Sequence, residues 1–567
     1  MPATHTLTDH IRSGAVMPAQ AYTSGQFWRM CRSAEADGSG PVQFRGGRQR
    51  RIEWRIYRFS GLCLDEQVMV GSVVLLSCLR CAREGDSAMS RPRRVLTAML
   101  LPAAVVGGLF VAASPASANV AVTQVSTDPF TDAQAQHRTE VEPDTFSFGS
   151  TIVSAFQVGR VSGGGASNIG FATSTDGGAT WTQGFLPGTT GNAGGACGQI
   201  SDASVAFDAK HNVWLISSLG VNCPGGTPVL TSRSTDGGLH WSNPVTTATG
   251  SLDKNWIVCD NTTTSPFYGN CYTEYDVTSQ GDSLRMQTST DGGLTWGPAR
   301  APSGTHTGLG GQPVVRPDGT VVVPYESLNN QIRSFTSTNG GASWNTPTLV
   351  SSVSHHDVAG GLREEFLPSA EIDSAGTVYV VWSDCRFRSG CPSNDIVLSK
   401  SATGTTWSTP VQVPIDATTS SVDHFVPGIG VDPSSSGGSA RIGLTYYFYP
   451  TANCTASTCQ LDAGFISSTN GGTTWSAATQ LAGPMNLSWI PNTSQGRMFG
   501  DYISTSVRAG GNAYPILPIA SAPSGSTFAM GMFAPTGGLA ITGGTTPTST
   551  PVEAVAALQP AVAVTAF

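Results

Sequence analysis

Apolar positions along this chain come in short runs broken by glycine, aspartate and asparagine. Ile169-Gly-Phe-Ala-Thr173, Val229-Leu-Thr-Ser-Arg233 and Thr377-Val-Tyr-Val-Val-Trp382 are runs of this kind, and Asp318-Gly319 and Asp373-Ser-Ala-Gly376 are turns between such runs. Segments rich in branched and aromatic residues, bounded by turn formers, predict short strands joined by tight turns.

One turn recurs. The strings STDGGATW (174–181), STDGGLHW (234–241), STDGGLTW (289–296), STNGGASW (337–344) and STNGGTTW (468–475) are joined by a shortened copy, SATGTTW (401–407). In each, a hydroxyl and an Asp or Asn side chain can bond turn amides, Gly-Gly accepts positive φ, and Trp packs against the sheet. A second repeat lies about thirty residues upstream of each box: Glu142-Pro-Asp144, Asp202-Ala-Ser204, Asp253-Lys-Asn-Trp256, Gly311-Gln-Pro313, Leu367-Pro-Ser369 and Phe425-Val-Pro427. It predicts an innermost strand for each unit, with two strands before the box and two around it, which makes one four-stranded blade.

After the last box, Ile503–Val507, Ala513–Ala520 and Phe528–Phe533 supply three more strands. Residues 119–125 would complete that sheet and close the ring by pairing the termini. The fold expected is therefore all-β, a single propeller of seven four-stranded blades, with six as the alternative. Composition agrees, since 67 of 567 residues are glycine and only 12% are charged, against about 25% in typical domains.

These boxes resemble the Asp-box pattern, Ser/Thr-x-Asp-x-Gly-x-Thr/Ser-Trp, of the sialidase superfamily. Asn339 and Asn470 replace the Asp and His240 replaces the Thr. The resemblance implies a sialidase-like propeller over residues 119–540, with the boxes away from the catalytic face.

Charge and cysteines locate the protein. Residues 1–118 carry 14 basic and 8 acidic residues, and the remainder carries 16 and 30, with lysines only at 210, 254 and 400. Such an acidic surface repels phosphate backbones and anionic lipid, so no nucleic-acid or membrane partner is expected. Arg91, Arg93 and Arg94, then Val95–Ala113, then Ser114-Pro-Ala-Ser-Ala118 read as an export signal over 89–118. Residues 1–88 read as an over-extended amino terminus, and 541–567 as a low-complexity tail. Cys197/Cys223, Cys259/Cys271, Cys385/Cys391 and Cys454/Cys459 are close in sequence and read as disulfides of a secreted protein.

Candidate chemistry gathers around the second repeat, where inner strands begin at the axial mouth. Sialidase-type hydrolysis, as the resemblance implies it, needs arginines for a sugar carboxylate, a tyrosine nucleophile with a carboxylate base, and an acid for the leaving oxygen. Arg138, Arg363 and Arg497 are the candidate clamp. Tyr502 is the candidate nucleophile with Glu364 or Glu142 as base, and Asp202 or Asp253 is the candidate acid. Lys254, Gln312, His424 and Asp501 complete the substrate-binding set. The first unit lacks the Arg-Ile-Pro with which the family places its leading arginine, and Arg138 is the nearest substitute. No cofactor and no metal are expected. The partner expected is an extracellular glycan or glycoconjugate, met by a monomer. The rival readings are a secreted binding propeller without turnover and a hydrolase or lyase of another polysaccharide.

Overall fold

The computed structural model describes residues 120–549; the leader read at 89–118 and the stretch before it lie outside them. Among the described residues regular structure is almost entirely β, with five short 3₁₀ turns, and no helix is long and apolar enough to cross a membrane.

The strands form successive antiparallel meanders in a β-propeller arrangement. Five sheets of three or four strands stand separately, beside one eight-stranded sheet. The eight-stranded sheet holds two four-strand meanders, 135–185 and 199–248, joined where Ala166 pairs with Ile200. A three-stranded meander follows at 252–289, then four-stranded meanders at 314–352, 369–412 and 423–486. The closing sheet combines Ser504–Val507, Ala513–Ser524 and Thr527–Pro535 with Val122–Gln124, which pairs antiparallel to Thr527–Pro535. The amino-terminal strand thus covers the edge of the last sheet, as the sequence predicts.

Apolar side chains fill the spaces between neighbouring sheets. Val153 and Phe171 of the first meander pack with Ile200, Trp214 and Trp241 of the second, and Tyr379 and Leu398 of the fifth with Ile429 and Trp475 of the sixth. Tyr446, Tyr447 and Tyr449 are buried in this way, so the aromatic run 446–449 is a core strand.

The boxes turn at the end of each meander's third strand, and their polar residues do the work the sequence assigns them. In the first, Ser174 Oγ accepts from Gly178 N at 2.7 Å, Asp176 Oδ1 accepts from Thr180 N at 2.9 Å, and Thr180 Oγ1 donates to Asp176 Oδ2 at 2.6 Å. These bonds, led by the Thr180 hydroxyl, hold the Asp176 carboxyl down to about 2. His240 replaces the threonine through Nδ1, 2.6 Å from Asp236 Oδ2. Asn339 reverses the bond, donating from Nδ2 to Ser343 Oγ at 2.8 Å.

Five of the six boxes also accept a bond from the sheet before them. Thr173 Oγ1 donates to Gly238 O (2.6 Å), Arg233 Nε to Gly292 O (2.6 Å), Ser334 Oγ to Gly404 O (2.9 Å) and Lys400 Nζ to Gly471 O (2.9 Å). The first box receives Tyr514 OH of the closing sheet at Gly177 O, 2.7 Å. Gly178 has φ +88°, and a Cβ there would lie 2.2 Å from the Tyr514 ring, so only glycine admits this contact.

All four disulfides expected from the sequence are formed. Residues 541–549, read as tail, dock on the sixth meander: Ile541 is buried and Thr546–Pro547 pair with Thr474–Trp475.

Candidate active site

On each of the first three meanders the second repeat forms a β-bulge. The ladders skip between Val141 and Asp144, between Ser201 and Ser204, and between Asp253 and Trp256. At those skips Glu142, Asp202 and Lys254 adopt φ of 54°, 48° and 51°. A bulge re-aims the side chain it carries. Here three bulges on three meanders turn two carboxylates and an ammonium into one cleft of about 320 Å³, which Arg160, Ser201, Asp253 and Arg363 also line.

Asp501 holds the cations. Its carboxylate pairs with both Lys254 Nζ and Arg363, and its own N–H donates to Glu142 Oε1 at 3.1 Å. Burial opposes its charge, but the two cations keep its carboxyl well below the ordinary range. Glu142 also accepts from Gln157 Nε2. Burial, and then the charges of Asp501 and Asp202, push Glu142 up to about 8. Asp202 accepts from Ser201 Oγ at 2.7 Å and from Lys254 N at 3.1 Å. Burial, and next the charge of Asp202, push Asp253 up to about 7. The site therefore holds two carboxyl groups that carry protons near neutral pH.

Below these groups Tyr502 and Trp256 meet edge to face at 5.0 Å, around a small hollow that Gln312 also lines. Tyr502 OH donates to Ala203 O at 3.2 Å. Burial and the surrounding carboxylates, Glu142 foremost, keep the phenol protonated.

Of the residues proposed from sequence, the structure brings together Glu142, Asp202, Asp253, Lys254, Arg363, Asp501 and Tyr502, with Gln312 beside them. Four lie elsewhere. Arg138 is exposed, its backbone N–H on Asp128 at 2.6 Å. Arg497 donates to Ile490 O at 2.6 Å, and only its backbone, accepting from Arg363 N at 2.7 Å, touches the cleft wall. Glu364 is held by His355 Nε2 at 3.1 Å and by Ser383 Oγ at 3.1 Å. His424 lies between the fifth and sixth meanders, 3.7 Å from Asp416.

Sequence reasoning missed Arg160 and Gln157, on the buried strand Thr151–Val161, and also Glu274 and Asp276 on Cys271–Val277. Asp276 is pushed up to about 9 by burial and then by Asp253, and burial, then Asp276, raises Glu274 well above the ordinary carboxylate range. The available signal was the residue type. An arginine or a carboxylate in a strand otherwise buried on both faces needs a partner or a proton.

No family model matches the chain. A sialidase of Bacteroides fragilis is 26% identical over 159 residues, which are 23% of this chain and 28% of that protein's length. Among solved structures, the Hadza microbial sialidase Hz136 shares 13% identity over 70% of this chain and 65% of its own, with a TM-score of 0.39. An ulvan lyase of polysaccharide lyase family 25 shares 10% over 72% of this chain and 97% of its own, at 0.44. The Fusarium graminearum α-L-arabinofuranosidase Arb93A shares 14% over 61% and 96%, at 0.36. In its repeated boxes and its curated relative, this chain resembles the sialidase-like superfamily.

Proposed function

We propose that this protein is a secreted sialidase-like glycoside hydrolase that releases terminal, acidic sugars from extracellular glycans. The observation that supports this most is the cleft itself, where Asp253, protonated up to about pH 7 beside Asp202, shares one space with Arg160, Lys254 and Arg363. A neutral carboxylic acid near pH 7 can protonate a leaving glycosidic oxygen, and guanidinium and ammonium groups suit a sugar carboxylate.

In this reading Asp253, raised by burial and by Asp202 beside it, is the acid. Tyr502, whose hydroxyl donates to Ala203 O, is the proposed nucleophile, and Glu142, which accepts from the N–H of its neighbour Asp501, is the proposed base. Glu364, engaged by His355 and Ser383, is not needed for that role. In the minor fraction of molecules whose Glu142 is ionised near neutral pH, attack forms a bond from the tyrosyl oxygen to the anomeric carbon while the phenolic proton passes to Glu142. Asp253 gives its proton to the departing oxygen as the glycosidic bond breaks; a water then attacks the anomeric carbon and gives its proton to the Asp253 carboxylate, and the tyrosyl bond breaks as Glu142 returns the proton to the phenol. Secretion is supported by the 89–118 leader pattern and the four disulfides. The seven-bladed ring of this reading is supported by taking the eight-stranded sheet as two blades.

One observation favours a second reading. Arg138 and Arg497 stand outside the cleft, so the three-arginine clamp is not assembled. A hydrolase or lyase of another polysaccharide would work without it. Release assays on a sialoside, a terminal uronide and neutral arabinosides separate the two. The first reading expects turnover of the sialoside, and the second expects turnover of the others alone. Binding without turnover of any substrate would leave a non-catalytic glycan-binding propeller and refute both.

A further inference from the structure

A second cluster of chemistry-bearing groups lies apart from the cleft, where the fifth and sixth meanders meet. Asp395 opens the strand Asp395–Ser401, paired with Asp384 at the end of its neighbour. His424 is near the start of the inner strand Asp423–Val431, and Asp416 lies in the loop between these strands. One ligand atom from each of the three lies within 4.8 Å of the others. Asp395 and His424 are almost wholly buried, at 2% and 1% exposure.

The surroundings orient these atoms as a metal's outer partners do. Arg388 donates to Oδ1 of Asp395 at 2.7 Å and to Oδ1 of Asp416 at 3.0 Å, and Gln412 adds a bond to Asp395 Oδ1 at 3.0 Å. Ser420 donates to Asp416 Oδ2 at 2.7 Å. Asp395 Oδ2 is left buried with no hydrogen-bond partner. His424 Nδ1 is 3.3 Å from Asn394 O, which in the Nδ1–H tautomer leaves the Nε2 lone pair free, 3.7 Å from Asp416 Oδ2. A ring nitrogen fixed by a backbone carbonyl, and carboxylates whose other oxygens are already bonded, are the usual outer shell of a metal ligand set. A buried carboxylate oxygen without a partner is costly unless something cationic meets it.

We propose that Asp395, Asp416 and His424 bind one divalent cation of the Zn²⁺ class, which ties the fifth meander to the sixth. One imidazole nitrogen and two carboxylate oxygens suit zinc. Metal bonds of about 2.0–2.2 Å place tetrahedral ligand atoms about 3.3 Å apart, so the 3.7 Å separation of His424 and Asp416 needs only a small closure. Ca²⁺, which takes six to eight oxygens, does not fit this set. Arg388 stays behind the carboxylates and is held there by the Cys385–Cys391 loop.

The test is metal content and thermal unfolding of the full chain after zinc loading and desalting, against D395N and H424Q. The expected result is one more zinc per chain in the wild type than in either variant, with no such difference for calcium. Chelation of the wild type should lower its melting temperature and zinc should restore it, a comparison that does not depend on either variant folding well. Equal zinc in all three proteins, or a wild-type melting temperature indifferent to zinc and chelator, would overturn the site and leave Arg388 as the cluster's sole counter-charge.

Discussion

Glu142, Asp202 and Lys254 share a left-handed backbone conformation that residues with side chains adopt at a cost of order 1–3 kcal/mol when strained. The bulge that demands it is what points them into the cleft. The second repeat exposed these positions because it put polar residues where an inner strand should be apolar. Arg160, Glu274 and Asp276 stayed hidden because their strands carry no repeated polar motif in the other units. Arg138 and Arg497 lie near inner-strand starts in the sequence, and nearness along the chain does not say which way a side chain turns. If Asp253 delivers the proton, D253N should reduce kcat about 10²–10⁴-fold with little change in KM. Steady-state kinetics on the released sugar checks this, and a KM effect alone would assign Asp253 to binding.

Among the elements, the boxes were legible as turns because their chemistry is local: Ser174, Asp176 and Thr180 satisfy one another within seven residues. Their second task was not legible. The glycine carbonyls of five boxes accept from Thr173, Arg233, Ser334, Lys400 and Tyr514, residues of the preceding sheet that no local pattern marks. Each neutral bond should contribute about 1 kcal/mol net. S334A and Y514F are expected to lower the unfolding free energy by that amount in denaturant titrations, and the double variant by nearly the sum, since the two bonds join different sheets. Marked non-additivity would mean that closure at Tyr514 couples the whole ring.

For the whole molecule, buried carboxyl groups set the pH response. Burial foremost pushes Glu140, Asp144 and Asp423 up to about 7, and Glu326 and Glu371 up to about 8. Their folded values exceed the unfolded ones near 4, so between these limits the native state binds more protons than the unfolded chain. Stability from these groups is complete below about pH 4 and is lost as pH rises through about 7 to 8. Asp501, shifted downward, acts oppositely, and only in acid. The melting temperature should therefore fall from about pH 5 to about pH 9, and a rise over that range would contradict the burial assigned to these groups. At this scale the sequence showed the repeat, the disulfides and the pairing of the amino-terminal strand with the last sheet. It could not show that two meanders share one sheet through a single pair, Ala166 and Ile200, because that contact depends on how far adjacent sheets splay.

We propose that the cleft performs acid-assisted glycoside hydrolysis with Asp253 as acid and Glu142 as base. The pH profile of kcat for sialoside release tests it most directly. The profile should be bell-shaped and highest between about 7 and about 8, where the competent form, with Asp253 protonated and Glu142 ionised, is a minor species at its most abundant, and the alkaline limb should be lost in D253N. Release with an unchanged profile in D253N, or no release by the wild type at any pH, would contradict it.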